Sequence, residues 1–127
     1  MNPLKHIVFN PAAGLFAPLT YWEHPEEAKV IANGCGAKSF GGIVPDTMYG
    51  LTMTPVCNIH DCMYEWGDSE WDKLLADSFM LVNSLLRIVN HSSSALLKGL
   101  RCYRATTYFL GVHFGGDDSF WEGKERP

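Results

Sequence analysis

The fold of this chain is decided by residues 57–64, which read Cys-Asn-Ile-His-Asp-Cys-Met-Tyr. On a helix, Cys57, His60 and Tyr64 fall at positions i, i+3 and i+7, which lie on one face. Asp61 lies about 100° round the helix from His60, so the two side chains point in different directions. Asp61 therefore cannot orient His60, but the two can serve one pocket, His60 as a base and Asp61 as a metal ligand.

A separate acid is needed to hold the His60 ring, and helix geometry indicates Asp77. His60 lies eight residues before Asp68, which is in the turn after its helix, and Asp77 lies nine residues after Asp68. At about 1.5 Å per residue both lie roughly 12–14 Å from that turn, so on two antiparallel helices they are level and can face each other. Asp72 lies five residues nearer the turn than Asp77 and fits an N-terminal cap better.

Local signals predict three helices, over residues 54–66, 70–90 and 95–114. Pro55 suits the first turn of the first helix, and Gly67 ends that helix. The second helix carries an apolar stripe of helical period, formed by Trp71, Leu74, Leu75, Ser78, Val82, Leu85 and Val89. No clear alternating strand pattern accompanies these helices, so we expect a mainly α fold.

The length of 127 residues predicts one domain, 1–127, with an N-terminal segment over residues 1–32 and a loop over residues 33–51. Five of the 12 glycines fall in that loop, and a loop of such length needs a functional explanation. Lys5 precedes a mostly apolar stretch at residues 7–19, but turn residues interrupt it at Asn10, Pro11, Gly14 and Pro18. We therefore expect a loop or short helix there and no cleaved signal peptide, which leaves a cytoplasmic location or release without one.

The composition excludes several classes of function. Hydrophobic residues make up 46% of the chain, too many for disorder, and a net charge of −4 argues against binding nucleic acid through a basic face. No apolar run reaches 18 residues, so no transmembrane segment is predicted. Because the chain is acidic and rich in rings, we expect any contact with a membrane to come from aromatic side chains such as Phe16, Trp22 and Trp121.

Taken together, these features resemble the secreted phospholipase A2 superfamily. Members of that family have a Gly-rich calcium loop, then a helix with Cys-x-x-His-Asp and a Tyr four residues after the His. A second, antiparallel helix supplies an Asp. Here Cys57, His60, Asp61 and Tyr64 fit the pattern of the first helix, and Asp77 fits the Asp of the second.

Four short motifs are similar to a small bacterial and phage branch of phospholipase A2-like proteins. They are NGCG at residues 33–36, VPD at 44–46, CNIHD at 57–61 and ADSF at 76–79. The resemblance covers roughly residues 33–90, and the third predicted helix lies beyond it.

The resemblance implies a calcium-dependent hydrolysis of the sn-2 acyl ester of a phospholipid, and therefore a phospholipid or membrane-surface substrate. His60 would take a proton from the attacking water, Asp77 would orient His60, and Tyr64 would hydrogen-bond Asp77.

The resemblance also implies a Ca²⁺ ion bound by Asp61 and by carbonyl oxygens of the loop. Counting from the loop cysteine assigns those carbonyls to Gly34, Gly36 and Lys38, with Gly41 and Gly42 as rival positions. In the family, the loop cysteine pairs with the cysteine three residues before the His, so the expected disulfide is Cys35–Cys57.

The cysteines also depart from the family and allow other interpretations. Val56 replaces a second cysteine, and Cys62 stands one position earlier than the family's next cysteine, so the usual bridge to the second helix is absent. Cys57, His60 and Cys62 could instead form a zinc site, or Cys57 could be a nucleophile with His60 as its base. A further alternative is a non-catalytic binding module on a phospholipase A2-like scaffold, associated with a phage or mobile element.

Overall fold

The structure, a computed structural model, describes residues 3–32 and 47–126. It confirms the expected mainly α character. Its helices are α1 Leu19–Glu23, α2 Pro25–Ile31, α3 Thr54–Trp66, α4 Glu70–His91, α5 Ala95–Gly115 and α6 Asp117–Trp121. Its strands are β1 Ile7–Asn10, β2 Leu15–Pro18, β3 Thr47–Met48 and β4 Leu51–Thr52, and a 3-10 turn spans Pro3–Lys5. No helix in these two ranges is long and apolar enough to cross a membrane.

The apolar N-terminal stretch is a β-hairpin followed by α1, so the expectation of only a loop or short helix there was wrong. β1 and β2 pair antiparallel, and three of the residues that interrupt the apolar stretch, Asn10, Pro11 and Gly14, build the turn between them. The Asn10 side-chain oxygen accepts the N–H groups of Ala12 and Ala13, and Gly14 adopts a φ of +71°. The fully buried Asn83 of α4 then bonds both the N–H and the C=O of Phe16, which fixes the hairpin on the helix.

A second, short hairpin occupies the end of the segment predicted as a loop over 33–51. β3 and β4 pair antiparallel around Tyr49 and Gly50, which have φ angles of 49° and 84°. Two positive φ angles in a row are typical of the tight turns that suit the twist of paired strands. Residues 47–51 therefore do not belong to a continuous loop, and residues 33–46 lie outside the described part of the chain.

The three predicted helices correspond to α3, α4 and α5, and the last two each extend one residue further. The turn between α3 and α4 is tight, because a Cβ at Gly67 would lie 2.8 Å from the Phe120 ring. Ser69 accepts the N–H of Asp72, and the Asp72 carboxylate in turn accepts the N–H of Asp68. Asp72 thus acts as a cap in this turn, as predicted, which leaves Asp77 for another role.

The buried face of α4 is not the predicted apolar stripe. Trp71 is 65% exposed and Val89 is 55% exposed. The buried positions of α4 are Asp72, Lys73, Ala76, Asp77, Met80, Asn83, Ser84 and Ile88. The prediction was wrong because polar side chains can be buried when they bond one another, and hydrophobic periodicity does not detect such pairing.

The C-terminal tail packs on the core through α6. Phe120 is fully buried and Trp121 is 8% exposed, so Trp121 is a core residue and is not among the rings that can contact a membrane. Phe16 and Trp22 are half-buried. Phe16 lies between the rings of Phe9 and Phe79, and the Trp22 ring donates its N–H to the carbonyl of Val8.

Candidate active site

A fully buried carboxylate, Asp77, is the centre of the polar cluster between α3, α4 and α5. Its Oδ1 lies 2.8 Å from His60 Nε2 and accepts a 2.7 Å hydrogen bond from the Tyr64 hydroxyl. Both partners lie on one face of α3, at i and i+4. The structure therefore brings together the three residues that the resemblance assigned to catalysis, with His60 and Asp77 level on neighbouring helices.

The second oxygen of Asp77 has two partners that the sequence analysis did not assign. Asp77 Oδ2 accepts a 2.8 Å bond from Lys73 Nζ and lies 3.0 Å from His113 Nδ1. Lys73 is only 2% exposed and also donates to the carbonyl of His113. The i, i+4 spacing of Lys73 and Asp77 could have indicated the first contact. Nothing local indicated His113, which lies 36 residues away in α5.

These contacts set the charge of Asp77. Burial by itself would raise the pKa of this carboxyl, but hydrogen bonds from His60, Lys73 and Tyr64 outweigh it and hold the pKa well below its usual range. Burial and the adjacent Asp77 charge raise the pKa of the Tyr64 phenol. Asp77 is thus an acceptor at neutral pH, and Tyr64 keeps its proton to donate.

The ionised state of Asp77 determines the tautomer of neutral His60. A carboxylate can only accept, so His60 must carry its proton on Nε2, the nitrogen that faces Asp77. The lone pair of neutral His60 is then on Nδ1. This arrangement, in which a carboxylate holds one imidazole nitrogen and the other is basic, suits a general base.

Tyr64 is held against Asp77 by its neighbours. Its ring lies 4.1 Å from the His60 ring centroid and makes an edge contact of 5.1 Å with Phe120. Gly116, at the end of α5, lies beside the Tyr64 hydroxyl, where there is no room for a side chain.

We expect Gly116→Ala to destabilise the protein by about 1–3 kcal/mol in urea unfolding, because it overpacks this contact. The added Cβ would meet the Val112 carbonyl oxygen and would lie 2.8 Å from the Tyr64 hydroxyl oxygen. Gly115→Ala is the matched control, since no atom lies within 4 Å of its added Cβ. Equal stability of the two variants would contradict the proposed role of Gly116.

Asp61, the predicted metal ligand, lies on a different side of α3 from His60 and is 9% exposed. Burial raises the pKa of the Tyr21 phenol, and the Cys62 thiol and the Asp61 charge add to the rise. Burial and Asp61 likewise raise the pKa of the Cys62 thiol to about 12. Asp61 is the carboxylate among these groups.

The other predicted calcium ligands, Gly34, Gly36 and Lys38, lie outside the described residues. Within residues 3–32 and 47–126, no three His, Cys, Asp or Glu side chains are grouped to hold a metal ion. Asp61 fits Ca²⁺ by its chemistry, since calcium combines carboxylate and backbone oxygens. A complete calcium site would need the loop carbonyls, and their assignment stays a prediction.

The cysteines exclude two of the alternative interpretations. Cys57 is in a disulfide, so its sulfur is available neither as a zinc ligand nor as a nucleophile. Cys62 is a free buried thiol that donates to the carbonyl of Ala28, and Cys102 is also free. The predicted partner of Cys57, Cys35, lies outside the described residues, so the Cys35–Cys57 pairing stays a prediction.

A largely apolar groove of about 320 Å³ lies on the Asp61 side of α3. Its lining residues are Tyr21, Trp22, Pro25, Ala28, Lys29, Ala32 and Asn58. Asn58 precedes Asp61 by three residues, so the two lie on one side of α3. The charge of Asp61 contributes to the raised pKa of the Tyr21 phenol, which also lines the groove. Asp61 is not itself a lining residue, and the groove reaches α3 through Asn58.

Comparisons with family models, curated proteins and solved structures find no match to this chain. The chemistry of the site is therefore inferred from its own residues and from the sequence motifs.

Proposed function

We propose that this protein hydrolyses the sn-2 acyl ester of a phospholipid in a calcium-dependent reaction, on a phospholipase A2-like fold. The observation that supports this proposal is the pair of bonds from His60 Nε2 and Tyr64 to one oxygen of buried Asp77. Those are the contacts that the resemblance to the phospholipase A2 superfamily requires of these residues.

In the proposed reaction, His60 acts as the general base. Asp77 holds the Nε2–H, so Nδ1 takes a proton from a water molecule, and the water oxygen forms a bond to the acyl carbonyl carbon. Asp77 stabilises the imidazolium that results, and Tyr64 keeps Asp77 in place. When the bond between the acyl carbon and the sn-2 oxygen breaks, the proton on Nδ1 passes to that oxygen, which leaves a free fatty acid and a lysophospholipid.

The residues that would hold calcium are Asp61 and, by resemblance, the backbone carbonyls of Gly34, Gly36 and Lys38. When bound, the ion supplies positive charge that stabilises the oxyanion of an ester undergoing attack. The largely apolar groove that Tyr21, Trp22 and Asn58 help to line has the apolar walls that suit an acyl chain, which supports a lipid over a small polar ester.

The proposal is tested by measuring fatty acid release from phosphatidylcholine vesicles with calcium and with EDTA. We expect release only with calcium, and we expect His60→Gln to lower the rate by about 10²–10⁴-fold, the usual contribution of a general base. His91→Gln is the matched control, because His91 is an exposed histidine at the end of α4. The proposal would be wrong if the protein bound no calcium and hydrolysed no lipid or ester.

The alternative function is a non-catalytic binding module on the same scaffold. It is favoured by the buried ion pair of Lys73 and Asp77 and by the 1% exposure of His60, since such a network also suits a purely structural role. A melting temperature that rises strongly with calcium, without turnover of any lipid, would favour this alternative. Asp61→Asn would then change stability and calcium response without any activity to lose.

A further inference from the structure

Helix α5 exposes an apolar stripe along its length, beyond the segment that carries the resemblance. Its apolar members are Leu96, Leu100, Tyr103, Leu110 and Phe114, and together with Thr107 they are spaced alternately by four and three residues. At 100° per residue these positions fall within an arc of about 80°, so they form one surface, which we call the α5 stripe. Tyr103 is 74% exposed and Phe114 is 79% exposed.

The α5 stripe is not needed to build the core. The opposite side of α5 buries Arg101, Ala105 and Val112. Single exposed apolar residues are ordinary, but a row of large ones on one helix face is typical of an interaction site.

The charge of α5 restricts what can cover this face. Ala95–Gly115 contains no Asp or Glu, although the whole chain has a net charge of −4. Arg101 is buried and bonds the carbonyls of Met48 and Tyr49, whereas Arg104 is exposed. By the helical period, Arg104 lies at one edge of the α5 stripe.

A cavity of about 200 Å³ adjoins that edge. It is lined by Thr47, Met48, Tyr49, Arg104 and Tyr108. The Arg104 guanidinium lies 5.7 Å from the Tyr49 ring centroid and donates from Nε to the Tyr49 phenol, and Tyr108 lines the same cavity. A guanidinium beside two hydroxyl groups is a suitable set of donors for a phosphate.

We propose that the α5 stripe is a surface that binds phospholipid membranes, with its apolar side chains at the acyl boundary and a lipid phosphate at Arg104. A helix with an apolar face and an Arg at its edge is suited to lie in the membrane interface. A second copy of this chain is a poorer occupant, because two α5 stripes face to face would offer no acidic residue to pair with either Arg104.

The α5 stripe ends beside the candidate active site. The Phe114 ring lies 5.0 Å from the ring of His113, whose Nδ1 lies 3.0 Å from Asp77. A membrane on this surface would therefore be close to the site. The choice of a phospholipid membrane as the partner rests on the proposed function, but the binding itself needs no turnover and is measured separately.

The test is flotation of the full chain with vesicles of phosphatidylcholine and phosphatidylglycerol. We expect Phe114→Ser and Tyr103→Ser each to lower the partition coefficient at least about tenfold, because each removes a large apolar side chain. Arg104→Gln should lower it about fivefold, the effect of one cation near an anionic lipid surface. Val30→Ser is the matched control, since Val30 is 87% exposed on α2, and it should bind like the wild type.

Two results would overturn the proposal. One is vesicle binding by Phe114→Ser and Tyr103→Ser at the wild-type level. The other is a wild-type dimer in solution, measured by light scattering, that Phe114→Ser makes monomeric while neither binds vesicles. His60→Gln should bind vesicles as the wild type does, so vesicle binding and loss of hydrolysis are measured independently.

Discussion

Replacing Asp77 by Asn should lower the free energy of unfolding by about 3–5 kcal/mol at neutral pH, the usual cost of removing one partner of a buried ion pair. The amide would leave the ammonium of Lys73, which is 2% exposed, without its carboxylate. It would also replace one of the two acceptor oxygens by an NH₂ donor, so that either His60 and Tyr64 at Oδ1 or His113 at Oδ2 would lose its acceptor. Urea unfolding measures the loss. If the proposed function holds, the Asp77→Asn variant should also release fatty acid more slowly than the wild type.

Asp118→Asn, an exposed Asp on α6, is the matched control and should change stability by less than about 0.5 kcal/mol. A similarly small loss for Asp77→Asn would contradict the role given to the buried network.

Lowering the pH of the wild type should also show how much its stability depends on the Asp77 carboxylate. Because the pKa of folded Asp77 is held below its ordinary value, its carboxylate stabilises the fold at pH values above the ordinary Asp pKa of about 3.9. That stabilisation is lost as the pH falls from there through the lower, folded-state pKa. Asp77→Asn should lack this part of the acid dependence.

Lys73→Met should cost about as much as Asp77→Asn, because it breaks the same buried pair from the other side. The Asp77 carboxylate would then lie fully buried with only the histidines and Tyr64 as donors, and the bond from Lys73 to the carbonyl of His113 would also be lost. Urea unfolding again measures the loss. Lys98→Met is the matched control, because Lys98 is an exposed lysine on α5.

The double variant Lys73→Met/Asp77→Asn tests whether Lys73 and Asp77 stabilise the fold as a pair. If the two residues are a true pair, the double variant should be more stable than the sum of the two single losses implies, by about 0.5–3 kcal/mol. Strict additivity would mean that Lys73 and Asp77 do not interact in the folded protein.

Local signals were enough to predict the central helices. Pro55 and Gly67 bound α3 closely, since each acts on the backbone of its own turn. Ser69 and Ser94 cap α4 and α5 with their hydroxyl oxygens. The N-terminal hairpin was missed although Asn10 and Gly14 mark its turn, because its strands have four residues each and no clear alternation of apolar and polar residues.

The candidate site was predictable only in part. The contact of His60 with Asp77 follows from their nearly equal separation, in residues, from one tight turn, which can be counted along the chain. Lys73 was missed because a lysine is expected at the surface unless a partner for its buried charge is known. His113 could not be inferred, since α5 reaches Asp77 only after the chain has turned back at Ser92–Ser94.

The sequence by itself determined the mainly α class, the extents of α3, α4 and α5 to within one residue, and that His60 of α3 faces Asp77 of α4. Those properties depend on backbone preferences and helical spacing, which act over a few residues. Only the tertiary structure decided which face of α4 is buried, that Asp77 also meets Lys73 and His113, and that the α5 stripe is left exposed. Burial and charge pairing depend on segments far apart in the chain, so their outcome appears only when the helices are packed together.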